Sequence, residues 1–149
     1  MNLQDYWIPY VISNVFALLL ILICYRWPKV GKVIFAVGFI LAGIFNIYSG
    51  ISSPEVYVDL YGPGTVTLYQ KFIYGIFSSY TSLIVSLIAS GQIIVGIFLF
   101  MKRTPFLLGI LGGIIFLVAI SPLGIGSAFP STLLMAISLV LLYLRYKKA

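Results

Sequence analysis

The chain has 149 residues, a length typical of one domain, and it is strongly apolar and basic. Hydrophobic residues make up 62% of it and charged residues only 8%, whereas an ordinary soluble domain has roughly 25% charged residues. Three acids and nine bases cannot cover the surface of a soluble protein of this size. The composition therefore excludes a soluble globular enzyme, a disordered tail and a disulfide-stapled secreted domain, and it predicts a polytopic membrane protein.

Five apolar runs are long enough to cross a bilayer, whose hydrocarbon core of about 30 Å takes roughly 20 helical residues. They are predicted at 8–26, 31–50, 80–101, 105–121 and 130–146. All seven prolines lie at or outside the ends of these runs, as expected because proline inside a helix costs about 3 kcal/mol. The predicted fold is all-α, with residues 1–149 forming a single transmembrane bundle of five helices.

The basic residues lie at alternate ends of the five predicted spans. Eight of the nine fall on one side: Arg26, Lys29, Lys32, Lys102, Arg103, Arg145, Lys147 and Lys148. Lys71 and the three acids, Asp5, Glu55 and Asp59, fall on the other side. Because cytoplasmic loops carry an excess of Lys and Arg, the pattern predicts an extracytoplasmic N-terminus and a cytoplasmic C-terminus in a bacterial or archaeal cell membrane. Membrane orientation also explains the net charge of +6 without nucleic acid as a partner.

Residues 51–79 form the one irregular stretch of the sequence. Residues 56–69 place β-branched and aromatic side chains on both sides of Gly62-Pro63-Gly64. This pattern favours a short β-hairpin or, alternatively, a re-entrant or interfacial loop held by its tyrosines. We expect an ordered cap over the extracytoplasmic end of the bundle, and a ligand-binding lid is the alternative.

Small residues at intervals of four predict close packing between the spans. In lipid, helices associate where small side chains let their backbones approach. The predicted packing residues are Gly38 and Ala42 in the second span, Ser82, Ser86 and Ser90 in the third, and Gly109 and Gly113 in the fourth. The serine face of the third span leaves an alternative open, a hydrated conduit for small solutes.

The sequence carries few groups suited to catalysis. It has no histidine, the commonest metal-ligating side chain, and its one cysteine, Cys24, lies in an apolar run and is predicted to be a buried thiol. No carboxylate dyad, phosphate-binding loop or cofactor fingerprint appears. We therefore predict no catalytic residue, no metal site and no cofactor that the sequence itself encodes.

Three carboxamides remain inside the predicted spans, on Asn14, Asn46 and Gln92. A carboxamide facing lipid loses hydrogen bonds at a cost of several kcal/mol, so all three are expected to face the interior. Hydrogen bonding between helices is one explanation, and recognition of the polar head of a lipophile, such as a quinone carbonyl, is the other. Asn46, Tyr48 and Gln92 are the candidate ligand-binding residues.

Three segments carry a resemblance to a known family. They are Ala89–Phe100 followed by Lys102-Arg103, Pro122–Pro130 before the last span, and Ala42–Ile47 in the second span. They resemble parts of the DoxX-like family of small bacterial membrane proteins, over roughly residues 35–146, although many members carry an acid where this chain has Gln92. The resemblance implies a four-helix core, which the first span here precedes as an additional helix.

The resemblance also implies a class of function. The family takes its name from a subunit associated with thiosulfate:quinone oxidoreductase, and some relatives are linked to membrane oxidoreductase assemblies. This implies an accessory subunit, or a protein that binds quinone or lipid without catalytic residues of its own. A membrane oxidoreductase or a second copy of the chain would then be its partner within the lipid bilayer. A quinone-reactive oxidoreductase subunit using Asn46, Gln92 and the Gly-Pro-Gly loop is the alternative.

Overall fold

The computed structural model describes residues 4–147, and within that range the chain is helical with no strand. The long helices are α1 (Gln4–Arg26), α2 (Pro28–Ser52), α5 (Thr81–Phe100), α6 (Arg103–Ile120) and α7 (Ser131–Tyr146). Two short helices, α3 (Glu55–Tyr61) and α4 (Thr67–Phe72), and a π-helical turn (Ile73–Phe77) connect α2 to α5. A 3-10 segment (Ser121–Ser127) connects α6 to α7. The prediction of an all-helical fold is confirmed.

Four of these helices are long and apolar enough to cross a membrane: α1, α2, α5, and α6 with its 3-10 extension. The fifth, α7, is apolar but has only 16 residues. Large aliphatic side chains such as Leu18, Leu22, Leu87 and Ile97 are exposed on the outer surface of the bundle. An apolar surface this extensive is stable in lipid and not in water. The chain is therefore a multi-pass membrane protein.

The helix boundaries follow the predicted runs closely, with one exception. Pro28 occupies the first turn of α2, where a missing N–H costs nothing. Helix α1, however, begins at Gln4, four residues before the predicted start, so Pro9 lies inside the helix. Pro9 therefore departs from the predicted placement of the prolines at or outside the ends of the runs, whereas Pro105 lies in the first turn of α6. Pro9 has no N–H, so α1 lacks one main-chain hydrogen bond. Because Pro9 lies near the start of α1, most of the hydrogen bonds of this helix form beyond it.

The long helices form a ring in which neighbours follow the order α1, α7, α6, α5, α2. Helix α2 packs most extensively against α5, and α1 against α7. Helices α1 and α2 meet close to the turn that joins them, where Gly31 lies directly against the buried Cys24. The core between the helices is apolar, with Phe35, Phe39 and Leu139 among its buried side chains.

Two matching segments bring α2 and α5 together. Both segments, 36–43 and 89–96, read Ala-x-x-x-Ile-x-x-Gly. A Cβ added at Gly43 would lie 2.7 Å from the main-chain oxygen of Ala89, and one at Gly96 would lie 2.7 Å from that of Ala36. The two helices therefore pack through a reciprocal pair of contacts in which each glycine lies on the backbone of the other helix. This close approach is possible only without a side chain.

The glycines predicted to pack helices fall into two groups. A Cβ at Gly109 would lie 2.9 Å from the Leu99 nitrogen, and one at Gly113 would lie 2.8 Å from the Leu139 side chain, so both are at close helix contacts. A Cβ at Gly38 would meet no atom within 4 Å. The structure therefore places Gly38 away from any helix contact, and together with Ala42 it borders a groove described below.

The serine face of α5 lies on the outside of the bundle. Ser82 and Ser90 are exposed and Ser86 is half-buried. The Ser90 hydroxyl donates to the Ser86 main-chain oxygen at 2.8 Å, so its own helix satisfies it without a neighbouring helix. These serines neither pack helices together nor line an enclosed path through the described part of the bundle.

The segment between α2 and α5 is helical, so the β-hairpin interpretation of residues 56–69 is wrong. In α3, Tyr57, Val58 and Tyr61 share one face and pack against Ile73 and Phe77 of the π-helical turn. This packing outweighs the β propensity of the individual residues. The short helices form an ordered cap over one end of the bundle.

Two hydrogen bonds attach this cap to the long helices. The Thr65 hydroxyl donates to the Pro122 main-chain oxygen, and the Tyr69 hydroxyl donates to that of Ala119, both at 2.8 Å. Both acceptors lie where α6 ends, in the last turns or in the 3-10 segment, where main-chain oxygens lack helical partners. The cap is therefore fixed in place over the ends of α5 and α6.

The opposite end of the bundle holds a buried cation, Lys32. Its Nζ donates to the main-chain oxygen of Met101 at 2.8 Å and to the Tyr146 hydroxyl at 3.3 Å. It also lies 4.7 Å and 4.6 Å from the ring centroids of Phe106 and Tyr146. Met101 caps the C-terminal end of α5, so the negative end of a helix and two aromatic faces surround the ammonium group.

Candidate functional site

Three polar side chains from three helices form a hydrogen-bonded chain inside the bundle. The Tyr57 hydroxyl of α3 donates to Asn46 Oδ1 of α2 at 2.9 Å. Asn46 Nδ2 in turn donates to Gln92 Oε1 of α5 at 2.8 Å. We call these three residues the polar chain. The structure thus brings together Asn46 and Gln92, two of the three residues predicted as candidates.

The third candidate, Tyr48, lies elsewhere. It is two residues from Asn46, which on a helix directs it to a different face, and its side chain is 69% exposed. The tyrosine that contacts Asn46 at the site is Tyr57, whose side chain is only 9% exposed. Tyr57 was not among the predicted site residues, because this stretch was expected to be a strand or a loop. The spacing of four between Tyr57 and Tyr61 was the signal of a helical face that could have found it.

The polar chain is uncharged at neutral pH. Burial raises the pKa of the Tyr57 hydroxyl above its ordinary value of 10.0, and a polar contact with Ser49 partly opposes this shift. Burial also raises the pKa of Tyr61, and the neighbouring Tyr57 adds to the effect. Both phenols therefore keep their protons and remain hydrogen-bond donors over the physiological range.

An apolar groove of about 570 Å³ lies between α1 and α2 on one side of the polar chain. Phe16 and Leu20 of α1 line one wall, and Gly38 and Ala42 of α2 line the other. Because these two positions carry little or no side chain, they leave the groove unfilled. Gln92 of α5 contributes a carboxamide to a lining that is otherwise apolar among the described residues.

Gln92 is the polar feature of this groove. Its side chain is only 4% exposed, and its Oε1 is occupied by the bond from Asn46. No residue in the range 7–147 accepts a hydrogen bond from its Nε2. The side chain borders the groove, so this donor is open to a ligand that carries an acceptor. The amide therefore supplies a free donor at the base of an apolar groove.

A second cavity, of about 320 Å³, lies on the other side of the polar chain beneath the cap. Asn46 and Tyr57 line it together with Tyr61. Phe116 borders both this cavity and the groove, and its ring meets that of Phe39 edge to face at 5.9 Å. The polar chain and these two rings therefore form a partition between two cavities.

Most other polar groups of the bundle lie away from the polar chain, and the buried Thr132 hydroxyl has no hydrogen-bond partner among the described residues. Asn14 faces the interior as predicted, where its Nδ2 donates to the main-chain oxygens of Tyr10 at 2.9 Å and Ala128 at 3.3 Å. Glu55 and Asp59 are exposed on α3. In the part of the chain that the structure describes, no three His, Cys, Asp or Glu residues come together to hold a metal ion. What the site offers is hydrogen bonding to a neutral ligand.

Comparison with known protein families, with curated proteins and with solved structures finds no match for this chain. A helix bundle hosts many unrelated functions, so its architecture does not identify one. The function is therefore argued from the polar chain and the two cavities beside it.

Proposed function

We propose that this protein binds a neutral lipophile, such as a quinone or a lipid with an uncharged head, in the groove between α1 and α2. The observation that carries the proposal is the buried Gln92 amide, whose Nε2 has no acceptor among the described residues. A carbonyl oxygen on an otherwise apolar molecule matches this donor. The apolar walls match the rest of such a molecule, and no charged side chain lines the described groove.

The groove also suits a ligand that arrives from the membrane. Phe16 and Val37 line it and are themselves exposed on the outer surface of the bundle, where lipid surrounds the protein. A ligand dissolved in the bilayer therefore reaches Gln92 without passing through water. Largely apolar pockets with a few convergent polar groups are the usual form of small-molecule sites.

Five membrane crossings with an extracytoplasmic N-terminus form part of this proposal. At about 1.5 Å per residue, α7 is about 24 Å long, a little less than the hydrocarbon core. The 3-10 segment before it and the basic side chains at its end help a short helix to span by reaching the interfaces. The cap would then face the extracytoplasmic side, and the end that contains Lys32 would face the cytoplasm.

The resemblance to the DoxX-like family supports a more specific context. In this context the chain is an accessory subunit of a membrane oxidoreductase, in the cell membrane, and the lipophile is the quinone that its partner uses. The chain itself would bind and hold the quinone without catalysing its reduction. This fits a site built from two carboxamides and a phenol, which contains no nucleophile or base.

The test measures binding of a benzoquinone with a decyl tail to the protein in lipid nanodiscs. In the variant Asn46→Leu/Gln92→Leu we expect the affinity to fall at least tenfold, because the only donor of the described groove is gone. The fold is expected to survive, since both partners of one hydrogen bond are removed together. Tyr57 keeps the main-chain oxygen of residue 46 as an acceptor, at 3.4 Å in the native chain.

Asn14→Leu is the matched control, because it removes a half-buried, hydrogen-bonded carboxamide that does not line the groove. We expect this variant to bind the quinone as the native protein does. Equal affinity of the native protein and the Asn46→Leu/Gln92→Leu variant would contradict the proposed site. A stoichiometric protein partner that co-purifies with the chain would support the accessory role.

A further inference from the structure

The hydrogen bonds of the polar chain all run in one direction. Tyr57 donates to Asn46, and Asn46 donates to Gln92, so the free donor of Gln92 stands at the end next to the groove. Such bonds polarise one another, and each strengthens the next. In this direction the groove presents an N–H to its ligand and binds a hydrogen-bond acceptor.

The same heavy-atom positions also allow the opposite direction. The nitrogen and oxygen of a carboxamide occupy nearly the same space, so turning the amides of Asn46 and Gln92 over exchanges donor and acceptor without moving a neighbour. Gln92 Nε2 then donates to Asn46 Oδ1 across the 2.8 Å contact, and Asn46 Nδ2 donates to the Tyr57 oxygen across the 2.9 Å contact. The groove is left with the Gln92 carbonyl oxygen, a hydrogen-bond acceptor.

Tyr57 is suited to end the chain in either direction. A phenol both donates and accepts, and a second acceptor, the main-chain oxygen of Asn46, lies 3.4 Å from its hydroxyl. When the chain reverses, the hydroxyl accepts from Asn46 and turns its own proton toward that oxygen. A phenylalanine here would leave one amide atom unpaired in both directions.

We propose that the polar chain reverses with the ligand, so that the groove takes neutral lipophiles whose single polar head is either an acceptor or a donor. This inference rests on the proposed function and names its ligand class more narrowly. A site of this kind holds both the carbonyl form of a lipophile and its hydroxyl form with no change in charge. Tyr57 lines the cavity and not the groove, so it is a positioning residue that acts through Asn46 and Gln92.

The test compares two probes in nanodiscs that have tails of equal length but different heads. One is 2-undecanone, whose ketone only accepts a hydrogen bond, and the other is 2-nonylpyrrole, whose N–H only donates. We expect both to bind saturably to the native protein with dissociation constants within tenfold of each other. A ketone that binds while the pyrrole binds at least a hundredfold more weakly would overturn the reversal and leave the proposed function intact. If neither probe binds saturably, the proposed function fails as well.

A pair of tyrosine variants tests the positioning role. We expect Tyr57→Phe to lower the affinity for both probes about tenfold, although the side chain at position 57 touches neither probe. Tyr61 lines the same cavity but is not part of the polar chain, so Tyr61→Phe is expected to bind both probes as the native protein does. Unchanged binding in Tyr57→Phe would contradict the coupling through the chain.

Discussion

At the residue scale, Lys32 shows how this bundle stabilises a buried charge without a carboxylate. The acidic side chains that the structure describes, Glu55 and Asp59, belong to the cap, at the other end of the molecule. The oxygen of Met101 and the faces of Phe106 and Tyr146 take the place of an acid. Lys32 therefore joins α2 to the C-terminal ends of α5 and α7.

We predict that Lys32→Met lowers the free energy of unfolding by about 1–3 kcal/mol, because it leaves the Met101 oxygen unpaired. Lys29→Met is the matched control, since Lys29 lies one turn earlier on α2 and is exposed. Thermal unfolding in nanodiscs measures both. Equal melting temperatures for the two variants would show that the Lys32 contacts contribute nothing to stability.

Two of the three residues in the polar chain could be predicted from the sequence, and the third could not. The cost of leaving a carboxamide in lipid was sufficient to predict that Asn46 and Gln92 face inward. No such argument applied to a tyrosine between two spans, because a phenol is common at membrane interfaces. Tyr57 reaches Asn46 only because α3 folds back over α2.

At the element scale, the contact between α2 and α5 is the most extensive in the bundle and depends on glycine. A Cβ at Gly96 would lie 2.6 Å from the Ile40 side chain and 3.0 Å from the Ile40 nitrogen, in addition to the Ala36 contact. Two of the three close atoms belong to the backbone of α2. The helices would therefore have to separate to accept even one methyl group.

We predict that Gly96→Ala lowers the free energy of unfolding by about 1–3 kcal/mol through overpacking. Gly91→Ala, on the same helix, is the control, because a Cβ there meets no atom within 4 Å. That substitution is expected to leave stability unchanged or raise it by up to about 1 kcal/mol, since alanine favours a helix over glycine. A loss of stability in Gly91→Ala equal to that in Gly96→Ala would refute the close contact as the cause.

At the scale of the whole molecule, charge divides the bundle into two ends. Arg26, Lys32 and Arg145 lie at the end opposite the cap, where Arg145 also stacks 3.7 Å over the ring of Tyr25. The cap end carries Lys71 with Glu55 and Asp59. The excess of bases at one end is what orients a membrane protein.

We predict that a cysteine at position 55 reacts with a membrane-impermeant maleimide in intact cells, and that one at position 147 reacts only after the membrane is opened. The variants are Glu55→Cys and Lys147→Cys, both at exposed positions. The native Cys24 is fully buried and gives little background. Labelling of position 147 alone in intact cells would overturn the proposed orientation, and labelling of both positions would overturn the count of five crossings.

Hydropathy and the placement of proline were sufficient to predict a membrane protein and most of its helices. Apolar runs of membrane length and proline between them define the long helices, because in lipid the backbone must satisfy its own hydrogen bonds. Hydrophobicity says little, however, about which face of a helix meets protein and which meets lipid, since both surroundings are apolar. For that reason the predicted packing at Gly38 and along the serines of α5 did not match the structure.

The cap and the site, in contrast, depend on packing between segments that are separate in the sequence. Residues 56–61 have side chains that suit a strand, but they form part of α3, whose face packs against the π-helical turn, and residues 62–66 form the turn that follows. The groove exists because α1 and α2 are in contact at Cys24 and Gly31 but are separated further along the two helices. No local sequence pattern encodes this separation. Asn46, Tyr57 and Gln92 belong to three different helices, and packing between these helices sets the distances at which their hydrogen bonds form.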